Sequence, residues 1–316
     1  MSSRVAITES AGSYEGIVRV LELIKEDVRQ SLGGAKQVFV KPNFVSAWRE
    51  LSATPVDAVR AVLEAISSYY RGTVIVGEAA TIGGFHDALE NFGYLELKDE
   101  FNVEFLDLSY DDYEYFTVWD WRLKKSVRVR VARTVLESDY IVSVTRPKTH
   151  DTVIVTLTVK NVVMGAVQPG YRQLIHQGYP AINLNIAYLA QFMMPKLAVV
   201  DGYVGMEGNG PVGGTPIHLG IAMAGLDAVA VDSMATRLMG FDPENVGYLY
   251  YLARAGCGCM KLDELEVVGV ENWRMYIKRF KPHRTYREQL KWRVDEHVIS
   301  RLLSEFLACG GGVSGG

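Results

Sequence analysis

Four apolar, β-branched runs in this chain end abruptly on a charged or amide side chain. Val38-Phe39-Val40 leads into Lys41-Pro42-Asn43, Val74-Ile75-Val76 into Gly77-Glu78, Ile141-Val142-Ser143-Val144 into Arg146-Pro147-Lys148-Thr149-His150, and Leu197-Ala198-Val199-Val200 into Asp201-Gly202. Short continuous apolar runs are the mark of strands covered on both faces, which occur in parallel sheets flanked by helices. In an open α/β sheet, the carboxyl ends of such strands border the ligand crevice. The pattern predicts an α/β fold with a mixed, largely parallel sheet, and it directs Lys41, Glu78, Lys148, His150 and Asp201 toward one site.

The intervening segments fit that plan. Ile17, Val20, Leu21, Ile24 and Val28 lie at helical spacing within residues 14–29, and Gly33-Gly34 stops the helix. Thr54-Pro55 opens another with a cap residue and a proline at its first position. Helices are predicted over 156–165, 182–194, 228–239 and 243–255, with strands over 217–223 and 265–268. The polar, alternating stretch 103–131 reads as antiparallel or edge strands. Two organisations are open: one α/β domain over 1–270, or two lobes over 1–138 and 139–270. A helical extension follows over 271–309, and the glycine-rich tail 310–316 is predicted to be disordered.

The stretch Asp201 to Gly214 holds six glycines. Glycine costs roughly 0.5–1 kcal/mol in a regular element, so the segment is predicted to be a loop. Its exposed N–H groups, those of Gly208 and Gly210 among them, would form a concave anion nest. Asp201 and Glu207 would exchange a proton or, with Asp232, hold a divalent metal. The named phosphate-loop pattern is absent.

Composition sets limits on partners. The net charge is −4, yet residues 272–294 carry +7 and leave the rest of the chain at −11. That segment interleaves Trp273, Tyr276, Phe280, Tyr286 and Trp292 with its cations. Such a composition suits nucleic acid, and equally a solvated appendage whose aromatics pack on the main domain. Cys257, Cys259 and Cys309 are too few for a disulfide scaffold, and Cys-Gly-Cys lacks iron–sulfur spacing, so no iron–sulfur cluster is expected. No apolar run approaches the ~20 residues of a membrane span, and the N-terminal residues show no apolar leader, which predicts a cytoplasmic protein with no membrane partner.

Several motifs together resemble the domain of unknown function 362 family: Lys41-Pro42-Asn43, Lys148-Thr149-His150, Lys160-Asn161 with Gly165, His176, Asp201-Gly202, Glu207-Gly208-Asn209-Gly210-Pro211, Gly214, Asp227 and Ala230-Val231-Asp232. The resemblance runs from about residue 36 to 240. It implies no particular activity. Many family members carry a ferredoxin-type domain, for which this chain has no cysteine set.

Side-chain chemistry supplies the functional expectation. Lysines at strand and helix ends beside amides suit a carboxylate or phosphate, so Lys41, Asn43, Lys148, Lys160 and Asn161, with Gly208 and Gly210, are the candidate binding residues. His150, His176, Asp201 and Glu207 are the candidate acid–base residues, and Asp201, Glu207 and Asp232 the candidate metal ligands. The leading expectation is an enzyme acting on a small anionic molecule, in one or more copies of the chain. The alternative is a binding protein that engages nucleic acid or a protein through residues 272–294.

Overall fold

The structure, a computed structural model, describes residues 3–306. The predicted glycine-rich tail, Cys309 and the last residues of the predicted extension lie outside them. Twelve strands form in chain order: β1 (Ser3–Glu9), β2 (Val38–Lys41), β3 (Val74–Glu78), β4 (Val103–Asp107), β5 (Tyr113–Trp119), β6 (Lys125–Ala132), β7 (Tyr140–Thr145), β8 (Lys148–Thr149), β9 (Val155–Thr156), β10 (Leu197–Glu207), β11 (Thr215–Gly225) and β12 (Leu265–Gly269).

The main sheet runs β12-β1-β11-β10-β7-β2-β3-β4, with β8 and β9 pairing beside β10. From β10 to β4 every neighbour is parallel, and β11 alone runs against the others along the main path. The chain lays β3 and β4 on one side of β2, then returns to place β7 on the other. The strand order therefore reverses between β2 and β7, the position at which a doubly wound sheet opens a crevice.

Pleat parity divides the interior into two layers. Val38, Val40, Val142, Val144, Leu197 and Val199 face the helices Ser13–Leu23, Val56–Ser67 and Phe85–Asn91. Phe39, Ile141, Ala198 and Val200 face Thr158–Ala166, Tyr179–Ala190, Ala228–Leu238 and Gly247–Arg254. One sheet thus draws β7 and β10 between strands from the first 138 residues. The polar stretch splits: β4 is a parallel edge strand, whereas β5 and β6 form a separate antiparallel ribbon.

The predicted long glycine loop is another correction. β10 continues to Glu207 and pairs with β11 as a long hairpin, leaving only residues 208–214 as its tip. Close packing explains the glycine at 205: a Cβ there would lie 2.9 Å from the Phe280 ring and from the Pro147 carbonyl oxygen. The residue permits contact between layers where a loop was expected.

Phe280 belongs to the basic segment, whose aromatics turn inward. Trp273, Phe280 and Trp292 are buried, and Trp292 packs against Tyr250 and Tyr251 while its indole N–H donates to the Asn245 carbonyl at 2.6 Å. The segment is part of the core, so its buried rings offer no stacking platform. Among the described residues, no helix is long and apolar enough to cross a membrane. Replacing Trp292 by alanine is expected to cost about 3–5 kcal/mol in urea unfolding, the range for deleting a fully buried aromatic side chain. A loss below about 1 kcal/mol would mean the segment rests on the domain as a loose appendage.

Candidate active site

β2 and β3 are adjacent parallel strands, so their last residues, Lys41 and Glu78, meet at one edge of the sheet. Their side chains form a buried ion pair. Lys41 Nζ also donates to the Pro42 carbonyl at 2.7 Å and to Asn161 Oδ1 at 3.3 Å. Glu78 accepts further bonds from the Phe44 and Ala79 N–H groups at 3.1 and 2.8 Å. One carboxylate thereby fixes the turns that leave both strands. Burial lowers the Lys41 ammonium to about 8 despite the opposing pull of Glu78.

Asn161 carries the network across to the helix Thr158–Ala166. Its amide donates to the Lys41 carbonyl and to Ser143 Oγ, both at 3.1 Å, and its oxygen accepts from Asn43 at 3.0 Å. Asn43 in turn accepts from Lys148, whose ammonium also reaches the Ser52 carbonyl at 3.2 Å. Lys148 thus has only neutral acceptors; burial, then Arg146 and Lys160, pushes its pKa well down. The helix is set in place by Asp232, which accepts from Thr158 N, Thr158 Oγ1 and Val159 N at 2.9, 2.6 and 3.0 Å. Asp232 is therefore an N-terminal cap supplied from another helix, and burial pushes its carboxyl up to about 7.

In front of this frame lies a crevice of about 230 Å³, lined by Asn43, Glu78, His150, Lys160, Asn161, Arg172 and His176 among others. Lys160 is only 8% exposed. Burial, with Arg172 and Lys41 adding to it, brings its pKa down to about 8 against the pull of Asp151. Among the described residues, its ammonium has no hydrogen-bond or salt-bridge partner. Arg172 was not singled out in the sequence, since it ends no strand and belongs to no motif. Its guanidinium donates to the Val167, Ala79 and Gly165 carbonyls and to Thr81 Oγ1, at 2.7 to 3.2 Å, which ties the turn after β3 to the helix.

The two histidines line the same crevice in complementary states. The Thr152 N–H donates to His150 Nδ1 at 3.1 Å, and Asp151 Oδ1, which accepts from Thr152 Oγ1 at 2.7 Å, lies 3.1 Å from the same nitrogen. Burial, then Lys160, lowers His150 well below the ordinary histidine range, so the ring is neutral with its proton on Nε2. His176 is the reverse. Its Nδ1 lies 2.9 Å from the Arg172 carbonyl, which can only accept, so Nδ1 carries the proton and Nε2 keeps a lone pair. The ring stands exposed at the mouth of the crevice, and partial desolvation by its neighbours lowers its pKa.

The loop bearing His150 is strained and clamped. Ile154 has φ of 69°, a left-handed conformation that a β-branched residue rarely adopts. Gln289, buried in the C-terminal segment, accepts from the Ile154 N–H and donates to the His150 carbonyl at 2.8 Å. No sequence signal could have paired positions so far apart.

Asp201 and Glu207 do not line the crevice. Asp201 follows Val200 in the pleat and so lies on the opposite face from Lys41, where it accepts from Ser13 Oγ at 2.8 Å and the Tyr203 N–H at 3.2 Å. Glu207 accepts from the Lys281 N–H at 2.7 Å and anchors the C-terminal segment. With Asp232 acting as a cap, the three predicted metal ligands stay apart. Among the described residues, no group of three or more His, Cys, Asp or Glu could hold a metal ion. Gly208 and Gly210 form no anion nest, because their N–H groups are bound to the Lys281 and Gly208 carbonyls at 2.7 and 2.9 Å. Only Pro211, from the tip of the hairpin, reaches the crevice.

Gly165 shows how tightly the frame is built. A Cβ there would lie 2.1 Å from Lys41 Cε and 2.9 Å from Glu78 Oε1. Gly165→Ala is expected to destabilise by at least about 2 kcal/mol in urea unfolding, because breaking a buried ion pair leaves an uncompensated charge. Gly12→Ala, whose Cβ meets nothing within 4 Å, is the silent control. Equal unfolding midpoints for the two variants would contradict this packing.

Residues 38–237 match the family model described as a domain of unknown function (DUF362). A thylakoid-associated protein of Synechocystis is 23% identical over 251 residues, which cover 76% of each chain. Among solved structures, the lactate racemase apoprotein from Thermoanaerobacterium thermosaccharolyticum aligns with a TM-score of 0.44 and 11% identity over 71% of this chain. The chain spans about half of that protein's length, 54%.

Proposed function

The chain belongs to the domain of unknown function 362 family, and we propose that it is an enzyme that holds a small anionic molecule in the crevice at the carboxyl ends of β2, β3 and β7 and moves a proton on it. The observation that carries this reading is Lys160: a buried ammonium, facing the crevice, with no acceptor of its own. An unpaired buried charge is costly, and the usual remedies are a partner or loss of the charge. Lys41, Lys148 and Arg172 lie near it with like charge, Glu78 is already paired with Lys41, and Asp151, which also lines the crevice, makes no hydrogen bond or salt bridge to Lys160 among the described residues. A bound carboxylate or phosphate would correct the imbalance.

Acid–base roles follow from the ring states. His150 offers an Nε2–H donor for an oxygen on which charge develops, and the His176 Nε2 lone pair offers a base. This replaces the expected pairing of histidine with Asp201 or Glu207. The competing nucleic-acid reading is weakened, because Trp273, Phe280 and Trp292, three of its five interleaved aromatics, are buried. Gln289 gives the C-terminal segment another use, that of holding His150 in position.

Lys160→Met separates a functional lysine from a structural one. It is expected to leave the empty protein equally stable, or more stable by about 1–3 kcal/mol, while weakening binding of the best ligand from a panel of small carboxylates and phosphate esters at least tenfold by calorimetry. The pH dependence follows in sign. A lysine whose pKa falls to about 8 on folding, from 10.5, destabilises the empty protein in full below pH 8, and that penalty fades as the pH rises toward 10.5. Anion affinity should run oppositely and decline above about pH 8. A methionine variant that loses stability yet binds as the wild type does would overturn the reading.

A further inference from the structure

We propose that the Lys160 amine is a nucleophile that condenses with the carbonyl carbon of a small oxo-carboxylate, whose carboxylate end lies toward Arg172, which lines the same crevice. This rests on the anion-binding reading above and adds the substrate class and a covalent step.

Lys160 stands apart from its neighbours by what it lacks. Every other cation near the crevice has acceptors: Lys41 has Glu78, Pro42 and Asn161, Lys148 has Asn43 and Ser52, and Arg172 has three carbonyls and a hydroxyl. Among the described residues Lys160 has none, although it is 8% exposed. It also stands in the first turn of the helix Thr158–Ala166, where a cation opposes the helix dipole. Fold stability therefore gives no reason for a lysine at this position. Simple electrostatic capture of an anion gives a weak one, since arginine keeps its charge when buried and binds carboxylates with two parallel bonds. What lysine alone provides is an amine that can become neutral, and burial beside like charges is the recognised way to obtain one.

The surroundings supply the remaining parts. The Lys160 ammonium gives up one proton and its lone pair forms the C–N bond, while the carbonyl oxygen, hydrogen-bonded by His150 Nε2–H, takes up that released proton through solvent to give a carbinolamine protonated at nitrogen. Loss of the hydroxyl with one nitrogen-bound proton releases water and leaves a protonated imine. No electrons are gained or lost, and water is the only co-product. The imine withdraws electrons from the adjacent C–H, whose proton the His176 Nε2 lone pair can accept. Hydrolysis then returns the amine. A crevice of about 230 Å³ suits a molecule of a few carbon atoms, with the carbonyl and carboxylate close together.

The test is reductive trapping on the full chain. Wild-type protein is incubated with pyruvate or glyoxylate and cyanoborohydride, then analysed by intact mass and peptide mapping, with Lys160→Arg and Lys160→Met in parallel and calorimetry of the same oxo acids without reductant. Lys160→Arg keeps the positive charge, and its thermal unfolding midpoint reports whether the variant is folded. The expected result is one adduct per chain, on the peptide containing Lys160, reduced at least tenfold in both variants. Adducts spread over surface lysines to the same extent in all three proteins would overturn the proposal. A binding isotherm without a Lys160 adduct would overturn the imine and leave the anion site standing. Absence of both isotherm and adduct would remove oxo-carboxylates as ligands and the imine with them, whereas the anion reading itself fails only if the wider panel of carboxylates and phosphates also does not bind.

Discussion

The buried pair between Lys41 and Glu78 is the interaction around which the rest of the site is arranged. Each partner ends a strand, and each reaches beyond the other: Glu78 to the two N–H groups that begin the following turns, Lys41 to Asn161 on the covering helix. Desolvation makes such a pair a poor source of net stability, and an apolar substitute of similar shape would often serve the fold as well. Its value here is geometric. It fixes two turns, one helix and the amide chain Asn161, Asn43 and Lys148 in a single register, and the crevice lies in front of that frame.

Much of the frame could be read from the sequence because strand-end residues are local signals. Three of the four apolar runs that end on polar groups brought Lys41, Asn43, Glu78, Lys148 and His150 together, and Lys160, Asn161 and His176 joined them. Asp201 failed because its apolar run does not end the strand: β10 continues past it to Glu207. Alternation along β10 sends it to the opposite face, and a one-residue difference in parity is enough to separate it from Lys41. Glu207 and the glycines failed because composition alone reads glycine as loop, whereas Gly205 serves close contact with Phe280 and Pro147 inside a hairpin. Arg172 and Gln289 carry no motif, and only the folded chain brings them beside residues far away in sequence.

The crevice is locally frustrated. Lys160 without an acceptor, Lys148 with neutral ones, a left-handed isoleucine and a histidine held neutral all depart from what the fold alone would favour. Departures of this kind concentrate where a protein trades stability for chemistry. They also concentrate here in one place, while the carboxylates outside it, Asp232 among them, find ordinary structural partners.

The central claim, that this crevice exists to hold a small anion against Lys160, is tested most directly by native mass spectrometry of freshly purified wild-type and Lys160→Met protein. The account predicts a co-purifying small molecule of defined mass on the wild type, anionic once released, and its loss from the variant. The same adducts on both proteins, or an adduct that survives the substitution, would contradict it.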